Sequence, residues 1–276
     1  MILFQDQIVE KSSIHISPDD RGYNFGDGVY EMFRVYKGEL FAKEAHFARL
    51  IRTAEAVQIQ LPYSIELLEE KLNSLLQVEK IIEGTVYLQI TRGAAPRAHA
   101  FPLKSEPVVY AHCNEVKRPV HIMKQGITVK IVADIRWLRC DLKTLNLLPN
   151  VLAKQEALDA GADEAILHRD GLVTECSLSN VMMVKDGVLH THPANNLILH
   201  GVTRAIVLAL ARELELPILE EPFTLDALRS ADEVFITGTT VEVTPVVAID
   251  QQKVADGVIG PITERLQEAF ELKFLS

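Results

Sequence analysis

Apolar residues in this chain switch spacing repeatedly, from every second position to a helical repeat and back. Val29 to Tyr36 is rich in β-branched and aromatic side chains and predicts a strand, and Leu40 to Phe41 follows a Lys37-Gly38 turn. From Glu44 the period becomes helical, with Phe47, Leu50, Ile51, Ala54 and Val57 on one face. A second helix is expected from about Ser64 to Gln77, carrying Leu67, Leu68, Leu72, Leu75 and Leu76. Ile2 to Gln5, Gly84 to Thr91 and Val108 to Asn114 complete a first set of strands. Each strand and helix has an apolar face to bury, so sheets and helices must be layered on each other.

Lys117-Arg118-Pro119 is charged and turn-forming, and it marks the expected boundary between two mixed α/β domains, 1–118 and 119–276. Beyond it Ile127, Val129 and Ile131 alternate as a strand does, and a helix is expected from Leu148 to Ala160, closed by Gly161. Ala165 to His168, Val181 to Val184 and Val188 to Leu189 read as strands, with Arg169-Asp170-Gly171 and Lys185-Asp186-Gly187 as turns. Gly201 precedes an apolar helix from Val202 to Leu214. Glu233 to Thr237 and Val243 to Ile249 are further strands. Pro261 opens a last helix whose inward residues are Ile262, Leu266, Ala269 and Phe270.

Several partner classes are disfavoured by composition. A net charge of −10 over 276 residues repels phosphates, which argues against nucleic acid or an anionic membrane surface. Any anionic ligand then needs a local positive site. No apolar run is long enough to span a bilayer, and Met1 to Asp6 lacks the basic region of a secretory signal. Three widely spaced cysteines, Cys113, Cys140 and Cys176, fit free thiols in a reducing compartment, so a cytoplasmic protein is expected.

Four places in the sequence can carry chemistry. Lys143 stands in Cys140-Asp141-Leu142-Lys143-Thr144-Leu145-Asn146-Leu147-Leu148, among apolar and small residues. An ammonium there either snorkels to water or has a chemical role such as attack on a carbonyl. His200-Gly201-Val202-Thr203-Arg204 lies ahead of the apolar helix, where unpaired backbone amides and the helix dipole suit a phosphate. On this segment alone an ordinary capped helix is the readier explanation. Glu175 lies between strand-like segments among small residues, where a carboxylate can hold a protonated ring nitrogen or cap a turn. Arg97-Ala98-His99 places two basic side chains on one side if the segment is extended, a grip for a carboxylate, and a solvated loop accounts for them as well. His190, His192 and His200 lack an acidic or cysteine partner at short spacing, so no metal is expected.

Together these pieces resemble a known family. Arg21-Gly22-Tyr23-Asn24-Phe25-Gly26-Asp27-Gly28-Val29-Tyr30-Glu31 is similar to the N-terminal block of the fold-type IV pyridoxal-phosphate enzymes. Asp134-Ile135-Arg136-Trp137-Leu138-Arg139-Cys140-Asp141-Leu142-Lys143 and Pro96-Arg97-Ala98-His99 resemble the D-amino-acid aminotransferase branch of that family. The resemblance implies a two-domain α/β enzyme with pyridoxal 5'-phosphate between the domains, the cofactor-bearing Lys143 in the C-terminal one. It implies that Lys143 joins the cofactor as a Schiff base and that Glu175 pairs with the pyridine nitrogen. Arg49, Val202, Thr203 and Thr239 would receive the phosphate, and Leu199 would back the ring. Tyr30, Arg97 and His99 would bind the substrate carboxylate, with Arg97 and His99 contributed by the second subunit of a homodimer.

The reaction so implied is ping-pong transamination, D-alanine and 2-oxoglutarate giving pyruvate and D-glutamate. A branched-chain L-amino-acid aminotransferase and aminodeoxychorismate lyase are the sister alternatives, and a non-catalytic cofactor-binding protein is the alternative from another class. Two places depart from the family pattern. Cys176 and Leu178 follow Glu175 where small hydroxylated residues are usual, and Gly238 stands where relatives commonly have serine. Both changes remove hydroxyl donors.

Overall fold

The computed structural model describes residues 1–275, which cluster into two compact units. The first holds Met1–Arg118 together with Leu142–Asn146, and the second holds Pro119–Asp141 and the residues from Leu147 onward. The fold class is mixed α/β, as expected.

In the first unit the elements are β1 (Ile2–Phe4), β2 (Gln7–Val9), α1 (Arg21–Phe25), β3 (Gly28–Tyr36), β4 (Glu39–Leu40), α2 (Lys43–Ala56), α3 (Ile65–Glu79), β5 (Gly84–Thr91) and β6 (Val108–Glu115). Six antiparallel strands form one sheet in the order β2-β1-β6-β5-β3-β4. Alternation along β3 turns Val29, Glu31, Phe33 and Val35 inward, and the apolar three join the core. Phe47, Leu50 and Ala54 of α2 and Leu68, Leu72, Leu75 and Leu76 of α3 cover that face. Leu68, Leu72 and Leu75 are fully enclosed, and burying each contributes about 1.5–3 kcal/mol.

The Lys143 segment belongs to this unit and not to the second, which corrects the expectation from linear order. The reason is an open strand edge. β4 pairs only with Val35 and Tyr36, so the edge of β3 near Gly28 is free to take another strand. Tyr30 N–H donates to Lys143 O at 3.0 Å, Leu145 N–H donates to Gly28 O at 3.1 Å, and Val29 bridges Thr144. Gly26, with φ of +66°, ends α1 in the left-handed region, and Asn146 Nδ2 donates to its carbonyl at 3.2 Å. A side chain at Gly26 would meet Asn146 Oδ1 at 2.8 Å.

In the second unit the elements are α4 (Val120–Gln125), β7 (Ile127–Ala133), α5 (Leu148–Asp159), β8 (Glu164–Arg169), β9 (Leu172–Cys176), β10 (Asn180–Lys185), β11 (Val188–Thr191), α6 (Val202–Glu213), β12 (Ile218–Glu220), α7 (Leu225–Arg229), β13 (Glu233–Gly238), β14 (Glu242–Ile249), β15 (Gln252–Lys253) and α8 (Pro261–Leu275). Nine strands make one sheet, β12-β11-β10-β13-β14-β7-β8-β9 with β15 against β14. β14, β7 and β8 run parallel, and α5 lies in the crossover from β7 to β8. Glu175 is not in a turn between strands. It sits within β9, buried, inside the register shift between the Val173–His168 and Cys176–Ile166 pairs. No helix among the described residues is long and apolar enough to cross a membrane.

Candidate active site

The residues singled out from sequence fall into three clusters, each within one unit. The first gathers around Lys143. Its Nζ lies over the face of Tyr30, 4.2 Å from the ring centroid, and the lysine is half-buried. A cation over an aromatic face is attracted by the ring quadrupole, which holds the amine on that side of the strand. Tyr30 in turn packs against Tyr87 at 5.7 Å between centroids, and burial raises the Tyr87 phenol to about 12. Arg49 is buried on α2 and gives two nitrogens to Glu31, Nε to Oε1 and Nη2 to Oε2, both at 2.8 Å. His46 Nδ1 meets the same carboxylate at 2.8 Å.

Burial alone would raise Glu31, but Arg49 and then His46 outweigh it and hold the carboxyl down at about 2. Burial lowers His46, against the pull of Glu31, and the charge of Lys143 adds to that lowering. Glu31 is not among the site residues expected from sequence, although its signal is there: a carboxylate in the apolar register of Val29, Phe33 and Val35 has to find a buried cation.

A second cluster presents Arg97 and His99. Both are exposed, and both meet Phe25: the Arg97 guanidinium lies 5.1 Å from its ring centroid, and the His99 ring lies 5.7 Å away. Arg21 secures the loop. Its Nη1 donates to Ala98 O at 2.6 Å and its Nε to Asp27 Oδ2 at 2.7 Å, while Arg92 binds Asp27 from the other side at 2.8 and 3.0 Å. Alternation along the loop is enough to pair Arg97 with His99. That Arg21, Phe25 and Asp27 form their platform is visible only in the fold.

The third cluster lies in the second unit. Glu175 is buried. Its Oε1 accepts from Arg136 Nη1, Oε2 accepts from Asn180 Nδ2 at 2.8 Å, and Leu199 N–H donates to both oxygens at 3.0 Å. Burial pushes the carboxyl up to about 7, opposed by Arg136 and the Leu199 amide and reinforced by Asp134. Asn180 also donates to Leu199 O at 2.9 Å, which fixes the turn leading into α6. Gly201 caps that helix without a side-chain hydrogen bond, so Val202 and Thr203 begin a 12-residue helix with no side-chain cap. A β-carbon at Gly201 would meet Asn180 Oδ1 at 2.1 Å, so only glycine lets this backbone approach. Val202 and Thr203 are buried, and Leu199 and Thr239 are half-buried. Leu178 is 70% exposed, so its side chain does not fill the space beside Glu175.

His192 Nδ1 meets Pro193 O at 2.9 Å and His200 Nε2 meets Asn195 O at 3.1 Å. Among the described residues no group of three or more His, Cys, Asp and Glu side chains is placed to hold a metal ion.

The family model described as Amino-transferase class IV matches residues 28–249. A D-alanine aminotransferase from Staphylococcus haemolyticus is 46% identical over 270 residues, covering 98% of this chain and 96% of that protein. The Escherichia coli branched-chain amino acid aminotransferase superposes with a TM-score of 0.94 at 27% identity, over 99% of this chain and 94% of that one. A branched-chain amino acid aminotransferase from T.th., solved with pyridoxamine 5'-phosphate, gives 0.92 at 28% identity, over 98% of this chain and 92% of that one.

Proposed function

We propose, for a chain that belongs to the class IV amino-transferase family, a transfer of amino groups from D-amino acids to 2-oxo acids with pyridoxal phosphate as cofactor. The observation that carries this reading is the 46% identity, over nearly the whole of both chains, to an enzyme named for D-alanine. The branched-chain enzymes share the fold at 27–28% identity, so their substrates are the less favoured alternative. The pair assigned here is D-alanine and 2-oxoglutarate, giving pyruvate and D-glutamate. Turnover of D-alanine against L-leucine, each with 2-oxoglutarate, tests it. Activity on L-leucine alone would overturn it.

The residues present fit the cofactor. α6 offers main-chain amides with no side-chain cap, a glycine that admits close approach, and the buried Thr203; nearby in β13, Thr237 Oγ1 is buried with no hydrogen-bond partner. We assign Val202, Thr203, Thr239 and the cation of Arg49 to the phosphate, Leu199 to the ring face and Glu175 to the ring nitrogen. When bound, pyridoxal phosphate accepts the electron pair left at the substrate α-carbon. Lys143 Nζ is the covalent anchor for the cofactor aldehyde and, once released, the base that carries the α-proton. Glu175 keeps a proton on the ring nitrogen, because a carboxylate in an enclosed site favours a cation beside it. Tyr30, Arg97 and His99 hold the substrate carboxylate, which fixes the face from which Lys143 reaches the α-hydrogen.

Arg97 and His99 are assigned to the substrate of a second protomer. Their exposure supports this, as do the exposed Leu148, Val151 and Leu152 at helical spacing on α5. Mixing Arg97→Ala with Lys143→Ala protein tests it by complementation: subunit exchange should restore about a quarter of wild-type activity. No recovery after demonstrated exchange would place the trap within one subunit. The free thiols Cys113, Cys140 and Cys176 support a reducing, cytoplasmic compartment.

A further inference from the structure

Glu175 is held by a guanidinium that it does not own. Arg136 donates Nη1 to Glu175, but its Nε and Nη2 go to Asp134 Oδ1 and Oδ2 at 2.9 and 2.8 Å, and Nη2 also reaches Leu197 O at 3.3 Å. The Arg136 backbone N–H donates to Asp134 Oδ1 at 3.0 Å as well. Asp134 is steadied by Thr174 Oγ1 at 2.9 Å and by Arg169 Nε at 3.2 Å. Arg169 stands at the rim, its side chain 21% exposed, and Nη2 of Arg169 is occupied by Arg136 O and Trp137 O. Two buried carboxylates, Asp134 and Glu175, therefore share the one buried guanidinium of Arg136, and Arg169 adds its charge from the rim on the side of Asp134.

Such a triad fixes the carboxylate and leaves it short of charge. The bidentate pair belongs to Asp134, which is the stronger geometry, and Glu175 has a single nitrogen. The other neighbours do not supply the missing charge. Asn180 and the Leu199 amide are neutral donors. Burial raises the Cys140 thiol to about 11 and the Cys176 thiol well above its ordinary value, so both are uncharged at neutral pH. Glu164, which also acts on Cys176, is paired with Lys154 at 3.8 Å and brings no free cation.

We propose that Arg136 is a positioning residue: by dividing its guanidinium between Asp134 and Glu175 it orients Glu175, keeps it ionisable, and leaves it only part of a cation. The cation that completes the pairing of Glu175 is the protonated ring nitrogen, so this inference rests on the assignment of Glu175 to that atom. Asp134 sets how much of Arg136 is left over.

The test uses apoprotein labelled with carboxyl-¹³C glutamate, the Glu175 signal being identified by its loss in Glu175→Gln. In Arg136→Met the titration midpoint of Glu175 should rise by about one pH unit or more, with Arg136→Lys recovering part of it. In Asp134→Asn it should fall by about one unit, because Arg136 is then free to serve Glu175. Opposite signs in two variants of one network are not what simple loosening produces. Affinity for pyridoxal phosphate, read from quenching of the single tryptophan, Trp137, should weaken about tenfold in Arg136→Met. If Arg136→Met does not fold, the Asp134→Asn shift alone decides. Midpoints unchanged in the variants that fold, or shifted in the same direction, overturn the proposal. If Glu175→Gln keeps wild-type affinity and cofactor absorbance, the ring-nitrogen assignment falls instead.

Discussion

Each unit buries a glutamate against an arginine, and the two carboxyls are shifted in opposite directions. Glu31 takes two nitrogens of Arg49 and the ring of His46, and against burial the Arg49 charge and these hydrogen bonds pull its carboxyl down, to about 2. Glu175 takes one nitrogen of Arg136 and feels Asp134 beyond it, and burial leaves it at about 7. Burial is the largest influence on both, so burial does not separate them. The number of carboxylates that share the guanidinium does. A carboxylate that holds a guanidinium by two nitrogens is tied down; one that holds a shared guanidinium by a single nitrogen is ready to accept a further positive charge.

Glu31→Gln should have the largest effect, since it deprives the buried Arg49 and His46 of their carboxylate. A loss of about 3–5 kcal/mol in the denaturant stability of the apoprotein is expected. A loss below about 1 kcal/mol would mean that Arg49 is balanced elsewhere.

The pH dependence of stability should show both glutamates, with opposite signs. Glu31 is lowered from 4.5 to about 2, so its contribution is present above pH 4.5 and is lost as pH falls toward 2. The loss is on the order of 3 kcal/mol. Glu175 is raised from 4.5 to about 7, so its contribution is present below pH 4.5 and is lost as pH rises toward 7. In apoprotein Glu175→Gln should remove that decline, on the order of 1–3 kcal/mol, and leave the acid limb intact. An unchanged slope between these values would mean that Glu175 is already matched.

Gly238→Ser sharpens the picture least. A β-carbon there would stand 3.1 Å from Val241 Cγ2, a contact the valine can relieve by a small shift. Restoring a hydroxyl beside Thr239 should improve cofactor retention by about two- to fivefold, within the worth of one hydrogen bond. Weaker retention would show that the site has been repacked around glycine.

Much of this is legible in the chain because period is a local property. The spacing of Phe47, Leu50 and Ala54 and of Leu68, Leu72, Leu75 and Leu76 defines α2 and α3, and all of these side chains are buried. The short elements β2, α1, α4, β12 and α7 carry too few residues for a period to emerge. Glu175 reads as lying between strands because β9 breaks register with its partner, a property of the pair that one strand cannot reveal. Lys143 reads as part of the C-terminal unit for a related reason: the edge of β3 that holds it is more than a hundred residues away. Arg136 lies inside a block that resembles the family. Its division between Asp134 and Glu175 needs three dimensions to see.

Reduction of the purified holoenzyme with borohydride, followed by peptide mapping, tests the central assignment most directly. A phosphopyridoxyl group on Lys143, and its disappearance in Lys143→Ala together with nearly all turnover, is the expected result. The label on another lysine, or undiminished turnover by Lys143→Ala, would contradict it.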